Sequence, residues 1–408
     1  MGKIDSNLVA DPDSLIITPG SPALLRLIEA IAADAEARDR GRVPTREAID
    51  LVRSARLGAF RLPQSQGGGG ASLPQLFELV IDLAEADSNI PHILRNHFAF
   101  VEKALRTPHN PKYARWLSEV REGRIFSLGA SELGIQNIGD GDGATRLEPN
   151  GEDFVLNGTK YYSTGNFYSD YILVNGRTPE GLAVSARVAV GQDGVNVDDD
   201  WDGIGQRLTA SGTTTLTNVA VSRDDVLFIA DEDVKLPFQA TFPQLYLTAL
   251  IAGILRSVVK DATALLKRRD RNFYHAVAAR PAEDPLLLQT IGNLASAAYV
   301  AEASVLRAAD AVGAAFQSAI DGRLDPALFL EASLRTVKSK VVVDELALNA
   351  ATQLFDVGGA SAAKQSQRLD RHWRNIRTIS SHNPRSYKAW ALGDYTVNGT
   401  ALPSAAFF

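Results

Sequence analysis

The hydrophobic periodicity of this 408-residue chain changes twice, and this change limits the possible folds more than any single motif does. In residues 1–124 apolar side chains recur at helical spacing, as in Leu24, Ile28 and Ile31. Residues 125–235 hold short β-rich runs separated by turn signals such as Asn157-Gly158. In residues 236–408 the helical spacing returns. The sequence therefore predicts an α+β protein with an N-terminal helical domain, a central β-barrel or sandwich domain and a C-terminal four-helix bundle.

Three local signals place helix ends within this plan. Ser72 followed by Gln75 is a capping-box pattern that begins a helix. Asp325-Pro326 is an N-cap with proline at the first helical position, and Gly358-Gly359 is a left-handed stop for the same helix. Long helices are also expected around residues 247–259 and 285–320. With a shorter last helix they predict an antiparallel bundle.

The composition excludes several classes of function. The chain contains no cysteine, which rules out disulfides, thiolate metal sites and cysteine nucleophiles. A net charge of −6 argues against nucleic-acid binding, which needs a basic stripe. The histidines lack metal-ligand spacing, and the acidic run 139–143 is too short for an EF-hand loop, so no metal site is expected.

The sequence shows no targeting pattern. The first residues lack a basic and then apolar signal peptide. No apolar run is expected to approach the roughly 18 residues that a membrane helix needs. We therefore expect a cytoplasmic protein with no membrane contact.

Positive charge is concentrated in residues 369–384, LDRHWRNIRTISSHNP, although the chain is acidic overall. One acid, Asp370, stands at the start of the run, and the cationic or titratable side chains surround Trp373: Arg371, His372, Arg374, Arg377 and His382. The run predicts a nearby anionic group and a histidine placed for proton transfer. A solvated helix face is the alternative interpretation.

Several segments resemble the acyl-CoA dehydrogenase flavoprotein superfamily, over nearly the whole chain. They are the Gly-rich turn and helix of residues 56–87, the FSLGASELG strand and turn of 126–134, and the LNGTKYYSTGNFYSDYILV hairpin of 156–174. Residues 201–216, WDGIGQRLTASGTTTL, and residues 354–399 are similar to one branch, the dibenzothiophene-monooxygenase type.

That resemblance implies a flavin-dependent monooxygenase. Members of the branch take reduced FMN from a separate NAD(P)H:flavin reductase and react with O2 to form a flavin hydroperoxide. FAD is the alternative cofactor. The resemblance further implies a small apolar substrate, organosulfur or aromatic, and a homotetramer that forms through the C-terminal bundle.

The resemblance also assigns flavin contacts by position. Ser131 stands where superfamily members carry a hydroxyl that donates to the flavin ring edge. Ser163 or Thr164 takes the analogous place on the next hairpin, and strand alternation points them oppositely. Ser211 resembles a phosphate or ring contact of the branch. Arg271 resembles an arginine that binds flavin phosphates, often across a subunit interface.

Further groups are available for the same phosphate. Gly358-Gly359 permits close approach of the backbone, and Arg374 and Arg377 carry guanidinium groups. Simpler interpretations stay open, because Ser131 is also a typical turn serine and the glycine pair is also a typical helix stop.

The candidate catalytic groups follow from a missing acid. Acyl-CoA dehydrogenases need a carboxylate base, and Thr378 stands in the segment where many of them carry it. At the other known position no acid lies between Asp233 and Asp261. His382 is then the titratable group nearest to the expected reaction centre, and an imidazole exchanges protons near neutral pH.

Other side chains are assigned to the same cavity. His97 lies on the N-terminal helix expected to face it, and with Ser163 it is the second catalytic candidate, although a core histidine is the alternative. His92, on another face of that helix, is assigned to the substrate pocket with Tyr161 and Trp201.

Three rival functions remain open at this point. One is an FAD-dependent acyl-CoA dehydrogenase, and another is an N-hydroxylase of an amine or amino sugar. The third is a helical scaffold that has lost its flavin.

Overall fold

The N-terminal third of the computed structural model is helical. The structure describes residues 16–135, 143–229, 236–405 and 407–408, so the acidic run 139–143 lies almost wholly outside the described residues. The helices are α1 (Pro22–Ala33), α2 (Ala35–Gly41), α3 (Arg46–Ser54), α4 (Leu73–Asp87), α5 (Asn89–Leu105) and α6 (Pro111–Arg121). The predicted capping box is confirmed at the start of α4. Ser72 Oγ accepts from the Gln75 amide at 3.3 Å, and Gln75 Oε1 accepts from the Ser72 amide at 2.8 Å.

The central segment forms one mixed sheet that curves around its own apolar core. Its strands are β1 (Phe126–Gly129), β2 (Arg146–Asn150), β3 (Asp153–Lys160), β4 (Tyr171–Arg177), β5 (Ala183–Ala189), β6 (Val195–Val197), β7 (Thr214–Val221) and β8 (Val226–Phe228). The order is β6-β7-β3-β2-β4-β5-β8, and β1 pairs with β4 in parallel. Leu147, Leu156, Val174, Ala186 and Val219 meet in this core, as alternation of side chains across strands requires.

The C-terminal part contains three long helices and two shorter ones. They are α7 (Thr241–Lys267), α8 (Pro285–Ile320), α9 (Pro326–Gly358), α10 (Asp370–Ser380) and α11 (Arg385–Asn398). Both predicted ends of α9 are confirmed. Asp325 caps its start by accepting from the Ala327 amide at 2.9 Å. The helix ends at Gly358 as predicted, but Gly359 has a φ of +56° and a ψ of −151°, which differs from the left-handed helical conformation that the sequence predicts.

Helix α7 corrects the expectation about apolar runs. It is 27 residues long with a mean hydropathy of 1.5 in its most apolar window, which is long and apolar enough to cross a membrane. That window is 78% buried against other helices, so α7 is the central helix of a protein core. Helix α7 packs against α4, α8 and α9. Buried apolar side chains from both helical parts of the chain, the first being Ile17 and the last Ile379, form one cluster around it. The domain boundaries at 124 and 235 stay a prediction.

Candidate active site

A histidine of α5 has a fixed proton position. His92 Nδ1 lies 3.0 Å from Gln206 Oε1, and Gln206 Nε2 donates to Ser88 Oγ at 2.8 Å. Because the amide oxygen only accepts, His92 carries its proton on Nδ1 and its lone pair on Nε2. Burial, with the nearby charge of Arg95, lowers the pKa of His92 to about 3. His92 is therefore neutral at physiological pH and offers a hydrogen-bond acceptor.

The second histidine follows α10 and has the opposite proton position. Arg95 Nη1 lies 3.3 Å from Nε2 of His382, and a guanidinium only donates. The lone pair of His382 is therefore on Nε2 and its proton on Nδ1. His382 is exposed in the single chain, yet the protein atoms packed around its ring and then the charge of Arg95 lower the pKa of His382 below its ordinary value. The two imidazoles are thus a neutral acceptor and a neutral donor that lie near each other.

The turn after β3 brings hydroxyl groups to α5. Gly165 has a φ of +85°, and a Cβ there would lie 2.7 Å from the Ile93 carbonyl oxygen, so the turn packs directly on the helix next to His92. Thr164 Oγ1 and Ser211 Oγ satisfy each other at 2.7 Å. Ser163 Oγ is buried and has no hydrogen-bond partner within the described chain. Of the two residues, Ser163 therefore has the free hydroxyl.

Other buried polar atoms near α7 and α10 also lack a partner in the described part of the chain, namely Tyr246 Oη, Thr378 Oγ1 and Asn383 Oδ1. Asn383 is held in place because its Nδ2 donates to Gln244 of α7. Such atoms are costly when unsatisfied, and they are expected where a polar molecule binds.

Asp261 is the first acid after the segment in which the sequence has no acid, and it is not available as a base. Asp261 Oδ2 lies 2.8 Å from His372 Nε2 and 2.5 Å from Arg371 Nη2. Despite partial burial, these partners lower the pKa of Asp261 to about 2. Asp261 is therefore a counter-ion. Thr378, for which the resemblance predicts the position of a dehydrogenase base, has a buried hydroxyl without a partner in the described chain.

The geometry does not support the catalytic role predicted for His97. Its Nε2 lies 3.0 Å from the Gly58 carbonyl oxygen and its Nδ1 accepts from the Phe126 amide at 3.1 Å. The side chain is fully buried, and burial lowers the pKa of His97 to about 4. Both ring nitrogens of His97 therefore form hydrogen bonds with backbone groups. This favours a structural role for His97 in joining α5 to β1.

The cationic run of residues 369–384 is also less available to bind an anionic group than the sequence predicts. Arg374 binds Asp370 at 2.7 Å, Asp39 at 3.5 Å and the Ile204 carbonyl oxygen at 2.9 Å. Its charge is therefore neutralised within the chain. Arg377 is exposed, and its guanidinium makes no hydrogen bond or ion pair with another described residue.

The remaining predicted flavin contacts, apart from the buried Gly358, lie at the surface of this chain. Ser131 and Arg271 are exposed, and Arg271 makes no hydrogen bond or ion pair with another described residue. Gly358 is packed against Leu265, whereas a Cβ on Gly359 would meet nothing within 4 Å. A cavity of about 270 Å³ lies beside this helix end and is lined by Phe355, Ala362, Ala363, Lys364, Gln365, Leu369 and Asp370. The structure of one chain does not bring these residues to His382.

Trp201 anchors the loop that holds Gln206. Trp201 Nε1 donates to the Gln206 carbonyl oxygen at 3.0 Å, and its ring meets Tyr162 edge to face with centroids 6.3 Å apart. A cavity of about 350 Å³ opens on this loop between Arg42, Trp201 and Arg207. His92, Ser163, Tyr161 and His382 do not line it, so this cavity is separate from the histidine pair.

Sequence reasoning missed Gln206, Arg95 and Lys388. Gln206 also receives support from Asn375, whose Oδ1 accepts from its amide at 2.7 Å. Arg95 follows His92 by one helical turn, a spacing that could have paired them. Lys388 of α11 is only 3% exposed, and no sequence signal distinguishes it from a surface lysine.

Comparison with known families agrees with this architecture. Residues 245–386 match the family described as acyl-CoA dehydrogenase, C-terminal domain. The fold and this match define an acyl-CoA dehydrogenase-like protein. The chain is 30% identical over 377 residues to the dibenzothiophene monooxygenase of Mycolicibacterium goodii, which covers 88% of this chain and 89% of that protein. The chain therefore belongs to the dibenzothiophene-monooxygenase branch of the acyl-CoA dehydrogenase superfamily, and it is a flavin-dependent monooxygenase.

Particular relatives extend the comparison. The probable FMNH2-dependent monooxygenase SfnC of Pseudomonas putida is 28% identical, with 96% of this chain and 98% of that protein covered. TdsC of Paenibacillus sp. A11-2, solved with FMN and indole, has a TM-score of 0.85 and 26% identity over 94% of this chain and 98% of that chain. Methanesulfinate monooxygenase MsuC of Pseudomonas fluorescens has a TM-score of 0.85 and 25% identity over 95% of this chain and 100% of that chain. The predicted family and fold class are confirmed.

Proposed function

We propose that this chain uses reduced FMN, delivered by a separate NAD(P)H:flavin reductase, and O2 to oxygenate a small organosulfur substrate. The observation that carries the proposal is the pair of neutral imidazoles, His92 and His382, with opposite hydrogen-bonding roles. The names of the relatives support FMN and a sulfur-containing substrate. The missing carboxylate at Thr378 argues against the dehydrogenase alternative.

The residues present fit a bound flavin. Ser163 and Thr378 keep buried hydroxyls without partners in the described chain, and Tyr246 keeps a third. A flavin ring edge supplies acceptors and donors that such groups need. Reduced FMN, when bound, supplies the two electrons that activate O2.

The side chains of this chain then manage protons and water. His92 Nε2 accepts a proton or a hydrogen bond, and His382 donates from Nδ1 to an oxygen that develops negative charge. Gln206 keeps the His92 tautomer fixed, as Arg95 does for His382. His92 is buried beside the apolar core, which limits the access of water to it, whereas His382 is exposed in the single chain.

We further propose a homotetramer in which Arg271 of one subunit reaches the phosphate bound by another. Large apolar side chains of α8 and α11 are exposed in the single chain, with Tyr299 74%, Trp390 66% and Val397 81% exposed. Exposed apolar groups of this size are typical of subunit interfaces. Arg271 is exposed without a partner among the described residues, which suits a role in trans.

Reductase-coupled turnover tests the proposal. The full chain, a flavin reductase, FMN and NADH are incubated with dibenzothiophene or methanesulfinate, and O2 uptake, product and H2O2 are measured. Product should form with the reductase and be absent without it. In His382→Ala product formation should fall by about 100-fold or more while H2O2 release rises, because proton transfer contributes that much.

The matched control is His109→Ala, which changes an exposed histidine and should behave as wild type. The proposal is wrong if the chain makes no oxygenated product and an acyl-CoA reduces its bound flavin under anaerobic conditions. Unchanged coupled turnover in His382→Ala would remove that residue from the mechanism.

A further inference from the structure

Gln206 has a backbone conformation that residues other than glycine rarely adopt. Its φ is +50°, in the left-handed region where the Cβ atom is crowded by the backbone. The residue is also buried. A strained conformation of this kind persists only where surrounding contacts hold it, and such residues concentrate at functional sites. The groups that hold Gln206 therefore matter for the side chain that reaches His92.

Side chains hold both backbone groups of Gln206. Its amide donates to Asn375 Oδ1 at 2.7 Å. Its carbonyl oxygen accepts from Trp201 Nε1 at 3.0 Å and from Thr209 Oγ1 at 2.9 Å. Trp201 and Thr209 belong to the same loop as Gln206, between β6 and β7, whereas Asn375 belongs to α10. Asn375 therefore links the conformation of Gln206 to another element of the fold.

The side chain of Asn375 has a fixed orientation. A backbone amide only donates, so the Asn375 oxygen faces Gln206, and its Nδ2 donates to Ser88 Oγ at 3.3 Å. Ser88 Oγ also accepts from Gln206 Nε2 at 2.8 Å. Ser88, Gln206 and Asn375 thus form a closed triangle of hydrogen bonds. The Gln206 amide oxygen is left for His92 Nδ1, 3.0 Å away.

Helix α10 also packs directly on the residues that precede Gln206. A Cβ on Gly205 would collide with the Arg374 carbonyl oxygen, and Arg374 Nη1 donates to the Ile204 carbonyl oxygen at 2.9 Å. The same helix leads to His382. The triangle therefore joins His92 to the helix that precedes the second imidazole.

We propose that Asn375 is a positioning residue that acts on His92 through Gln206. It holds the left-handed backbone of Gln206 and shares Ser88 with the Gln206 side chain, so that the amide oxygen stays on His92 Nδ1. This inference rests on the proposed function, in which His92 accepts at Nε2. It adds that the proton position of His92 depends on a residue of α10.

A double-mutant cycle tests the path of this effect. Asn375→Leu removes both hydrogen bonds at similar volume, and kcat for reductase-coupled oxygenation should fall about tenfold with little change in KM. In a Gln206→Leu protein, which already lacks the amide, the same substitution should lower kcat by less than about twofold. Equal losses in both backgrounds would overturn the inference, because Asn375 would then act by another route.

Asn375→Asp is the conservative variant. It keeps an oxygen that accepts from the Gln206 amide, and Ser88 can donate its hydroxyl to the other oxygen, so most of the kcat should return. An aspartate variant as slow as the leucine variant contradicts the assignment. The control Asn349→Leu, at an exposed asparagine of α9, should behave as wild type. If thermal unfolding shows that Asn375→Leu is not folded, Asn375→Ala replaces it in the cycle.

The ring nitrogens of His92 give a readout that needs no turnover. In protein labelled with ¹⁵N-histidine, the His92 signals are assigned by their loss in His92→Gln. Wild type and Asn375→Asp should show a protonated Nδ1 and an unprotonated Nε2, whereas Asn375→Leu should show a mixture of the two tautomers. Wild-type shifts in folded Asn375→Leu would overturn the inference. Failure of the proposed function appears separately, as the absence of oxygenated product from wild type.

Discussion

Arg95 donates a hydrogen bond from Nη1 to Nε2 of His382 across 3.3 Å and so decides which nitrogen of that imidazole keeps the proton. Gln206 decides the same question for His92 in the opposite sense, because its Oε1 accepts from Nδ1 at 3.0 Å. One polar side chain per histidine therefore creates an acceptor and a donor from two chemically identical rings. The catalytic proposal depends on this difference.

Gln206 should act on catalysis through His92. Gln206→Leu removes the acceptor for Nδ1–H, so the tautomer is no longer fixed, and kcat should fall about 10- to 100-fold. Gln206→Glu keeps an acceptor and should retain more activity while raising the pKa of His92, which moves the acid limb of the pH–rate profile upward.

The readout for this pair is kcat against pH, together with the ¹⁵N shifts of the His92 ring. Gln66→Leu, at an exposed glutamine, is the control. If Gln206→Leu lowers only stability and leaves kcat and the tautomer unchanged, the positioning role is wrong.

His97 should make the protein sensitive to acid. Its pKa is about 4 in the fold and 6.5 in the unfolded chain, so the unfolded state binds more protons between these values. The contribution of neutral His97 to the free energy of unfolding is therefore fully present above pH 6.5. It is lost as pH falls to about 4, and it amounts to about 3 kcal/mol.

Urea unfolding at several pH values measures this loss. Wild type should show the slope over that range, whereas His97→Gln should be less stable near neutral pH and have a shallower slope. His109→Gln, at an exposed histidine, should match wild type. A His97 ring that titrates near its ordinary value by NMR would be incompatible with the buried backbone contacts.

Lys388 should lower the free energy of unfolding of the protein at neutral pH. Its pKa is about 7 in the fold and 10.5 unfolded, so wild-type unfolding free energy should rise as pH rises between these values. Replacing the buried cation by an apolar side chain of similar size, Lys388→Met, should stabilise the protein at neutral pH by about 1–4 kcal/mol. Thermal and urea unfolding measure the change, and Lys338→Met, at an exposed position on α9, should be near neutral. A destabilised Lys388→Met protein would mean that the Phe408 ring, whose centroid lies 4.0 Å from Lys388 Nζ, satisfies the ammonium.

Arg271 should affect FMN and not folding. In Arg271→Ala the affinity for FMN, measured by quenching of flavin fluorescence, should fall about tenfold or more because a guanidinium–phosphate contact is lost. Thermal stability should be unchanged, since Arg271 is exposed and makes no hydrogen bond or ion pair with another described residue of its own chain. Arg268→Ala, at a nearby exposed arginine, is the control. Equal FMN affinity in both variants would rule out the phosphate role.

Local signals in the sequence are sufficient to predict the helix ends. Ser72, Asp325 and Gly359 act through groups within a few residues of themselves, and each was placed correctly. The site was less accessible, because its hydrogen bonds join distant residues. His92 and Gln206 are 114 positions apart, and Arg95 and His382 are 287 apart. No local pattern shows that His97 is used by the Gly58 carbonyl or that Lys388 is buried. The family resemblance supplied candidates, and the tertiary contacts separated the structural ones from the available ones.

The most direct test of the account follows oxygen itself. The full chain, a flavin reductase, FMN and NADH turn over methanesulfinate under O2 labelled with oxygen-18, and the product is analysed by mass spectrometry. The account predicts methanesulfonate that contains one labelled oxygen atom, formed only when reductase and FMN are present. Methanesulfonate without label, or labelled product formed equally well by free H2O2 without this chain, would contradict it.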